Sequence, residues 1–420
     1  MAATLNRLLK DNIDVIRDYF SVISGSAGRI VISLAYFVAL ANTLSIGDFG
    51  VFATASATGV VLSRLVSFGF VSPLYRIATV KPHLIGAYTA GYLLAVLISI
   101  PVLVLVASVI YSLFFSNDIG PVAFALIIAA EALLWRSLEV VVIVNNGMNR
   151  FGRGATLVII GTILRALAAV LFAFSASRTL SDWAWWYAGA NGLALAIAVP
   201  LFYPRVRLQL VPKLYWRRLR DSVSAAGAEM LFYIQTELDK LLVLAVSGAT
   251  AAGIYAIVMR LLDLTALPIR SFNMMLVQKL MRSPGLLASR KIRLGLEGGV
   301  FLISTLAFVA LAIFLHFFPT ALGSNVAEVV VLLPLVALLP ALRNLTEYQA
   351  ELLYARGQTG IRIVNLAILA CLKAALLSML LLRFSEVQDW MVWLNAVFAI
   401  LYAMSAGITY RCLRLPAKAA

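Results

Sequence analysis

The chain has 420 residues, of which 62% are hydrophobic and only 13% charged, and its mean hydropathy is +0.97. One soluble core cannot bury that much apolar surface, so the composition excludes a soluble globular protein and predicts an all-α polytopic membrane protein. The net charge of +15 alone would suit nucleic-acid binding, but membrane topology explains the positions of the basic residues better, and no nucleic-acid partner is expected.

The first segment, residues 1–19, carries apolar residues at helical spacing among charged ones, as in Leu5, Leu9, Ile13 and Ile16. This pattern predicts an amphipathic helix on the cytoplasmic membrane surface. A cleavable signal peptide is not expected, because no apolar core with a small-residue cleavage site is present. About twelve spans then follow, since roughly 20 apolar residues cross the hydrocarbon. They are predicted near residues 20–43, 49–75, 84–115, 120–146, 154–177, 183–203, 223–247, 252–280, 294–318, 327–354, 361–383 and 388–411.

The connections between these spans alternate in charge. About 23 basic residues fall on one side of the membrane and about two, Arg178 and Arg383, on the other. The positive-inside rule therefore predicts a multi-pass protein with both termini in the cytoplasm. Cys371 and Cys412 fall in or at the cytoplasmic end of spans, so no disulfide is expected, and His83 and His316 lie too far apart to suggest a metal site.

The most basic connection is a cytoplasmic linker at residues 204–222, near the chain midpoint. It separates a predicted N-terminal six-helix bundle at 20–203 from a C-terminal one at 223–412, which leaves a short cytoplasmic tail at 413–420. Within the linker, Leu214, Tyr215 and Trp216 predict a second segment lying on the membrane surface.

Local patterns repeat between the two bundles. Phe49-Gly50-Val51-Phe52 matches Ala252-Gly253-Ile254-Tyr255, and the pair Arg136 and Glu139 before a turn matches the pair Arg343 and Glu347. Because each bundle has an even number of spans, both insert in the same orientation. The predicted architecture is two half-bundles around a V-shaped central cavity.

These residues also carry a resemblance to a known family. The runs Ser45 to Phe52, Phe68-Gly69-Phe70 with Arg76, and Ala252 to Tyr255 through Arg260 and Asp263 to Pro268 resemble the polysaccharide-exporter flippases. That family belongs to the multidrug, oligosaccharidyl-lipid and polysaccharide exporter superfamily. The resemblance implies alternating-access movement of an undecaprenyl-diphosphate-linked oligosaccharide from the cytoplasmic to the periplasmic leaflet of a bacterial inner membrane. The oligosaccharide would be an O-antigen, capsule or exopolysaccharide repeat unit.

Ionisable residues inside the spans are the candidates for function. A charge at the bilayer centre costs about 2.5–3.5 kcal/mol, so these groups are expected to face a hydrated cavity or to pair with one another. Arg260, Asp263 and Arg270 share one face of the eighth span, within an arc of about 80°. Arginine suits a diphosphate, because its planar fork donates two hydrogen bonds to phosphate oxygens.

By the resemblance, Arg29, Arg64 and Arg270 would hold the diphosphate. Five further basic residues are candidates to line the same cavity: Arg260, Arg343, Arg136, Arg165 and Lys373. For Arg136 and Arg343 a purely structural role in local salt bridges stays open, because Glu139 and Glu347 lie within about one helical turn of them. Arg64 has no acid that close in the sequence.

Four acids are candidates to carry a coupling ion, H⁺ or Na⁺: Asp263, Glu237, Asp239 and Glu347. A salt bridge to Lys240 is an equally open interpretation of Glu237 and Asp239. The membrane potential alone could also drive an anion outward. No cofactor, metal or enzymatic activity is expected. The expected partners are the lipid-linked substrate, membrane lipids, and polymerase and chain-length proteins of the same pathway, around a monomer.

Two alternatives remain open. A drug or cation antiporter of the same superfamily would need acids deep in a half-bundle and few cavity arginines. A membrane polymerase or transferase acting on lipid-linked sugars would need a sizeable loop, whereas every predicted periplasmic connection is about ten residues or shorter. Because no Gly-Lys pair occurs, ATP hydrolysis by a Walker A loop is excluded, and no His-Glu-x-x-His motif is present either.

Overall fold

The computed structural model describes residues 31–282 and 290–413, and within these ranges the ordered elements are all helical. The prediction of an all-α polytopic architecture is confirmed. The predicted surface helix at residues 1–19, Arg29 and the tail at 414–420 lie outside the described residues. The helices of the first part of the chain are α1 (Val31–Thr43), α2 (Ile46–Leu62), α3 (Val71–Val80), α4 (Ile85–Phe114), α5 (Pro121–Ala129), α6 (Arg136–Gly147), α7 (Phe151–Ala173) and α8 (Leu180–Phe202).

The second part begins with one long helical stretch, α9 (Pro212–Arg282), which changes direction at Gly248, where φ is 82°. The remaining helices are α10 (Arg290–Phe317), α11 (Ser324–Val330), α12 (Leu339–Ala355), α13 (Thr359–Arg383) and α14 (Val387–Cys412). Among the described residues, seven helices are individually long and apolar enough to cross a membrane, and α11 with α12 form a further candidate bent by 62°. The other predicted spans fall on shorter or interrupted helices.

The second predicted span, 49–75, is broken in the structure instead of continuous. Helix α2 ends at Leu62 and α3 begins at Val71, with a 3₁₀ turn at Val66–Gly69 between them. Ser67, Phe68 and Gly69 all have positive φ, at 61°, 45° and 74°. For Ser67 and Phe68 this conformation costs about 1–2 kcal/mol each. The Ser99 hydroxyl accepts a 3.0 Å hydrogen bond from the buried Ser67 N–H, which satisfies a backbone donor that hydrocarbon would leave unpaired.

The fourth predicted span contains a π-helical turn, Ala130–Trp135, between α5 and α6. Such a turn inserts an extra residue into the helix and changes the direction in which the following side chains point. Glu131 lies in this turn and Arg136 directly after it, so the irregular backbone sets the positions of two buried charged side chains.

Helix α9 begins at Pro212, before the predicted start of the seventh span at residue 223. Leu214, Tyr215 and Trp216 are therefore continuous with α9, and their position at the membrane surface stays a prediction. Tyr215 packs edge-on against Phe70 at 5.7 Å, and its hydroxyl donates to the carbonyl of Ala87 at 3.0 Å. These contacts hold the start of α9 against the first part of the chain, while Trp216 stays exposed.

The two glycines that match in the sequence repeat, Gly50 and Gly253, contact each other. A Cβ on Gly50 would overlap the backbone nitrogen of Gly253, and a Cβ on Gly253 would overlap the carbonyl oxygen of Ile46. Helix α2 and the second segment of α9 therefore cross with their backbones in contact, which only glycine permits.

Residue contacts divide the chain into two compact units. Unit 1 contains residues 1–34, 258–372 and 386–420, and unit 2 contains residues 35–257 and 373–385. The core of unit 2 includes fully buried aromatic side chains such as Trp183, Tyr187 and Tyr255, and that of unit 1 includes Tyr348 and Trp390. The domain boundaries predicted from the basic linker stay a prediction.

Candidate functional site

The first charge quartet lies in unit 2 and consists of Arg64, Arg136, Glu139 and Glu229. Arg136 donates from Nη1 to Glu139 Oε2 at 3.0 Å and from Nη2 to Glu229 Oε2 at 3.1 Å. Arg64 Nη1 lies 3.4 Å from the same Glu139 oxygen and 3.5 Å from the same Glu229 oxygen. One oxygen of each acid thus bridges the two arginines, and the formal charges of the quartet cancel.

The arginines of the first charge quartet are more deeply buried than the acids they contact. The side chains of Arg64 and Arg136 are 6% and 5% exposed, whereas those of Glu139 and Glu229 are 31% and 47% exposed. The Arg64 guanidinium lies 4.1 Å above the ring of Tyr233, a cation–π contact. Among the described residues, the buried Nε atoms of both arginines have no hydrogen-bond partner, so donor capacity remains unused.

The second charge quartet lies in unit 1 and consists of Asp263, Arg270, Arg343 and Glu347. Asp263 Oδ1 lies 3.1 Å from Arg270 Nη2 and 3.2 Å from Arg343 Nη2. Glu347 lies 3.4 Å from Arg270 and 3.8 Å from Arg343. Arg270 and Asp263, which helical spacing placed on one face of the eighth span, thus form an ion pair. The second charge quartet differs from the first charge quartet in that the side chain of Arg270 is 42% exposed.

A third polar cluster surrounds Glu131 inside unit 2. The Glu131 carboxylate accepts hydrogen bonds from Ser56 at 2.7 Å and from Tyr187, and it lies 3.4 Å from Arg165 Nη2. Arg165 also donates from Nε to Asn191 at 2.8 Å and lies 3.7 Å from the ring of Trp135. Arg165 is thus fixed on three sides by an acid, an amide and an aromatic ring.

Lys373 forms a fully buried ion pair with Asp239. The two side chains are 3% and 0% exposed, and Lys373 Nζ lies 2.7 Å from Asp239 Oδ2. Lys373 also donates to the carbonyl of Gln235 at 2.9 Å, and Asp239 accepts from the Tyr255 hydroxyl at 2.8 Å. Two residues after Gln235, Glu237 pairs with Lys240 at 2.5 Å.

Sequence reasoning missed Glu297 on α10. This buried carboxylate accepts hydrogen bonds from Gln349 at 3.3 Å, Tyr402 at 3.1 Å and Tyr410. Within the described part of the chain, no basic group lies within salt-bridge distance of it. Its sequence signal was its position, since Glu297 falls a few residues inside the ninth predicted span.

The structure therefore brings six of the predicted residues into ion pairs within the two charge quartets: Arg64, Arg136, Asp263, Arg270, Arg343 and Glu347. Arg165, Lys373, Asp239 and Glu237 belong to separate pairs. Arg260 donates to the hydroxyl of Ser33. In the described residues, no group of three or more His, Cys, Asp or Glu side chains is arranged to hold a metal ion.

No protein-family model and no curated protein matches the sequence. Solved structures do match over nearly the whole chain. An inward-facing multidrug resistance MATE family transporter of the MOP superfamily aligns with a TM-score of 0.66 at 14% identity, covering 92% of this chain and 93% of that one.

Two further structures align similarly. A Vibrio cholerae MATE transporter, VcmN, gives a TM-score of 0.57 at 14% identity, covering 93% of this chain and 94% of its own. A MOP superfamily transporter from Pyrococcus furiosus gives 0.56 at 12% identity, covering 95% and 94%. At these identities the likeness establishes the fold alone. The predicted two-bundle architecture of about twelve spans is confirmed, and the chain has the fold of the MATE transporters of the MOP superfamily.

Proposed function

We propose that the protein is a membrane transporter that moves an undecaprenyl-diphosphate-linked oligosaccharide from the cytoplasmic to the periplasmic leaflet of a bacterial inner membrane. The fold supports transport, because solved structures that cover almost the entire chain are transporters. The fold does not support one cargo over another, so the proposal for the cargo depends on the side chains.

The observation that carries the cargo proposal is the pairing of two arginines in each charge quartet. Arg64 and Arg136 share both of their acids in unit 2, and Arg270 and Arg343 share both of theirs in unit 1. Two adjacent guanidinium groups offer several parallel N–H donors, which matches the oxygens of a diphosphate better than a single cation would.

The charge on the cargo also determines which energy source can drive its transport. An anion that moves outward is driven by an inside-negative membrane potential at about 2.3 kcal/mol per charge per 100 mV. The four acids predicted to carry an ion are Asp263, Glu347, Glu237 and Asp239, and each has a basic partner within 4.0 Å. This pairing favours the membrane potential over H⁺ or Na⁺ as the energy source.

The second candidate function is a drug or cation antiporter. It is favoured by the structural neighbour that is a multidrug resistance transporter. It is also favoured by the buried Glu297, whose hydrogen-bond donors among the described residues are neutral side chains, because an antiporter of this kind would need an acid deep in a half-bundle. In the Pyrococcus furiosus neighbour, the reverse polarity of the binding pocket suggests a different function for that transporter. The charge of the binding pocket is therefore the property to test.

Export in cells distinguishes the two functions. Arg64→Ala and Arg270→Ala should each abolish export of surface polysaccharide at unchanged protein level, and Arg29→Ala, predicted from the sequence alone, belongs in the same series. Arg218→Ala is the matched control, because Arg218 lies outside both charge quartets, with its side chain 41% exposed and 3.6 Å from Asp221. Normal export from the Arg64 and Arg270 variants, or cation-driven drug efflux by the purified protein, would contradict the flippase proposal.

A further inference from the structure

The neutrality of the first charge quartet raises a problem for anion binding. An anion that approaches Arg64 and Arg136 first meets Glu229, whose side chain is 47% exposed, while the arginine side chains are only 6% and 5% exposed. Two carboxylates already contact three of the four Nη atoms, and like charges repel. A diphosphate therefore binds there only if a carboxylate leaves.

The two acids are not equivalent in how firmly they are held. Glu139 lies on α6 three residues after Arg136, so acid and arginine share one helix and move together. Glu229 comes from α9 and is the more exposed of the two, at 47% against 31%. Glu229 is therefore the acid more accessible to displacement, and its withdrawal breaks a contact between separate helices.

The arginines stay in position without Glu229. The Glu139 Oε2 atom alone bridges Arg64 at 3.4 Å and Arg136 at 3.0 Å. The buried Nε atoms of both arginines lack partners among the described residues, so an incoming anion with several oxygens finds more donors than one carboxylate uses.

We infer that Glu229 is a displaceable internal ligand: its carboxylate occupies the position on Arg64 and Arg136 that a phosphate group of the cargo takes during transport. This inference rests on the proposed function and adds a residue to it. Because Glu229 belongs to α9 and the arginines to α2–α3 and α6, its exchange for a phosphate breaks the ion pairs between these elements and frees α9 to move relative to them. Binding of the anion is thereby linked to a conformational change.

The inference predicts tighter binding when the internal ligand is removed. If Glu229 vacates the arginines about a tenth of the time, the wild-type protein binds an anion about tenfold more weakly than its arginines allow. Glu229→Gln should therefore bind geranylgeranyl diphosphate about tenfold more tightly than wild type, and it should translocate lipid more slowly, because the anion is no longer expelled by the returning carboxylate.

The test measures binding of geranylgeranyl diphosphate and of inorganic pyrophosphate to the purified full chain by calorimetry. The measurement with inorganic pyrophosphate shows whether the diphosphate alone is recognised or the lipid chain is required. Asp221→Asn is the matched control, because it removes one negative charge from the same helix, in an exposed pair with Arg218. Tightening in Glu229→Gln but not in Asp221→Asn supports the inference, whereas equal tightening in both would reduce it to a general charge effect and overturn it.

Failure of this inference can be separated from failure of the proposed function. If wild type binds the diphosphate, Arg64→Ala loses binding, and a folded Glu229→Gln binds no more tightly, the displaceable ligand is wrong and the cargo proposal stands. If neither wild type nor Glu229→Gln binds, both fail. Should Glu229→Gln not fold, Glu229→Asp serves instead, because its shorter side chain withdraws the carboxylate while keeping the charge. Tighter binding is again expected, and unchanged binding overturns the inference.

Discussion

Lys373→Ala removes an ammonium group that lies 2.7 Å from the carboxylate of Asp239, where the two side chains are 3% and 0% exposed. The acid left behind is uncompensated, and the loss of one partner from a buried pair costs about 3–5 kcal/mol. The carbonyl of Gln235 also loses its 2.9 Å hydrogen bond, which adds about 1 kcal/mol. We expect the free energy of unfolding to fall by about 4–6 kcal/mol.

The assay is denaturant unfolding in detergent, followed by tryptophan fluorescence, as part of a double-mutant cycle. The double variant Lys373→Met with Asp239→Leu removes both charges and should recover most of the lost stability, since apolar replacement of a buried pair is often neutral. Arg218→Ala, which breaks an exposed pair at 3.6 Å, should change stability by less than about 1 kcal/mol. A Lys373→Ala variant no less stable than Arg218→Ala would refute this reasoning.

Two further predictions concern packing and burial. Gly253→Ala places a methyl group against the carbonyl oxygen of Ile46 and should lower the stability measured by thermal unfolding by about 1–3 kcal/mol. Gly189→Ala, whose new methyl group meets no described atom within 4 Å, is the control and should be neutral or stabilising. Equal stability of the two variants would argue against the close helix crossing. Glu131→Gln leaves the charge of Arg165 without its acid and should cost about 3 kcal/mol, measured by denaturant unfolding; unchanged stability would show that Arg165 has another anionic partner.

Hydropathy predicted the helical architecture well, because the membrane imposes a length on each span. The orientation inferred from the charge of the connections stays a prediction. The breaks within spans were not predicted. The turn after Arg64 uses positive φ at Ser67 and Phe68, residues that rarely adopt it, and it depends on Ser99 from another helix. A conformation maintained by a distant side chain leaves no local signal in the sequence.

The acids that pair with the buried arginines were also only partly predictable from the sequence. The sequence placed Glu139 beside Arg136 by helical spacing, and that pair is present at 3.0 Å. It gave no partner for Arg64, because the two acids that contact this arginine lie 75 and 165 residues away. Which acids neutralise Arg64 is decided by tertiary packing, so the contact between Arg64 and Glu229 is evident only in the structure.

The most direct test of a diphosphate cargo is leaflet movement by the purified protein in vesicles with an inside-negative potential. A fluorescent undecaprenyl-diphosphate-linked sugar and a neutral lipid-linked sugar of the same length would be compared in wild type, Arg64→Ala and Arg270→Ala. We predict movement of the diphosphate lipid by wild type alone, chemically unchanged, and no movement of the neutral lipid. Equal movement of both lipids, or undiminished movement by the two arginine variants, would contradict the account.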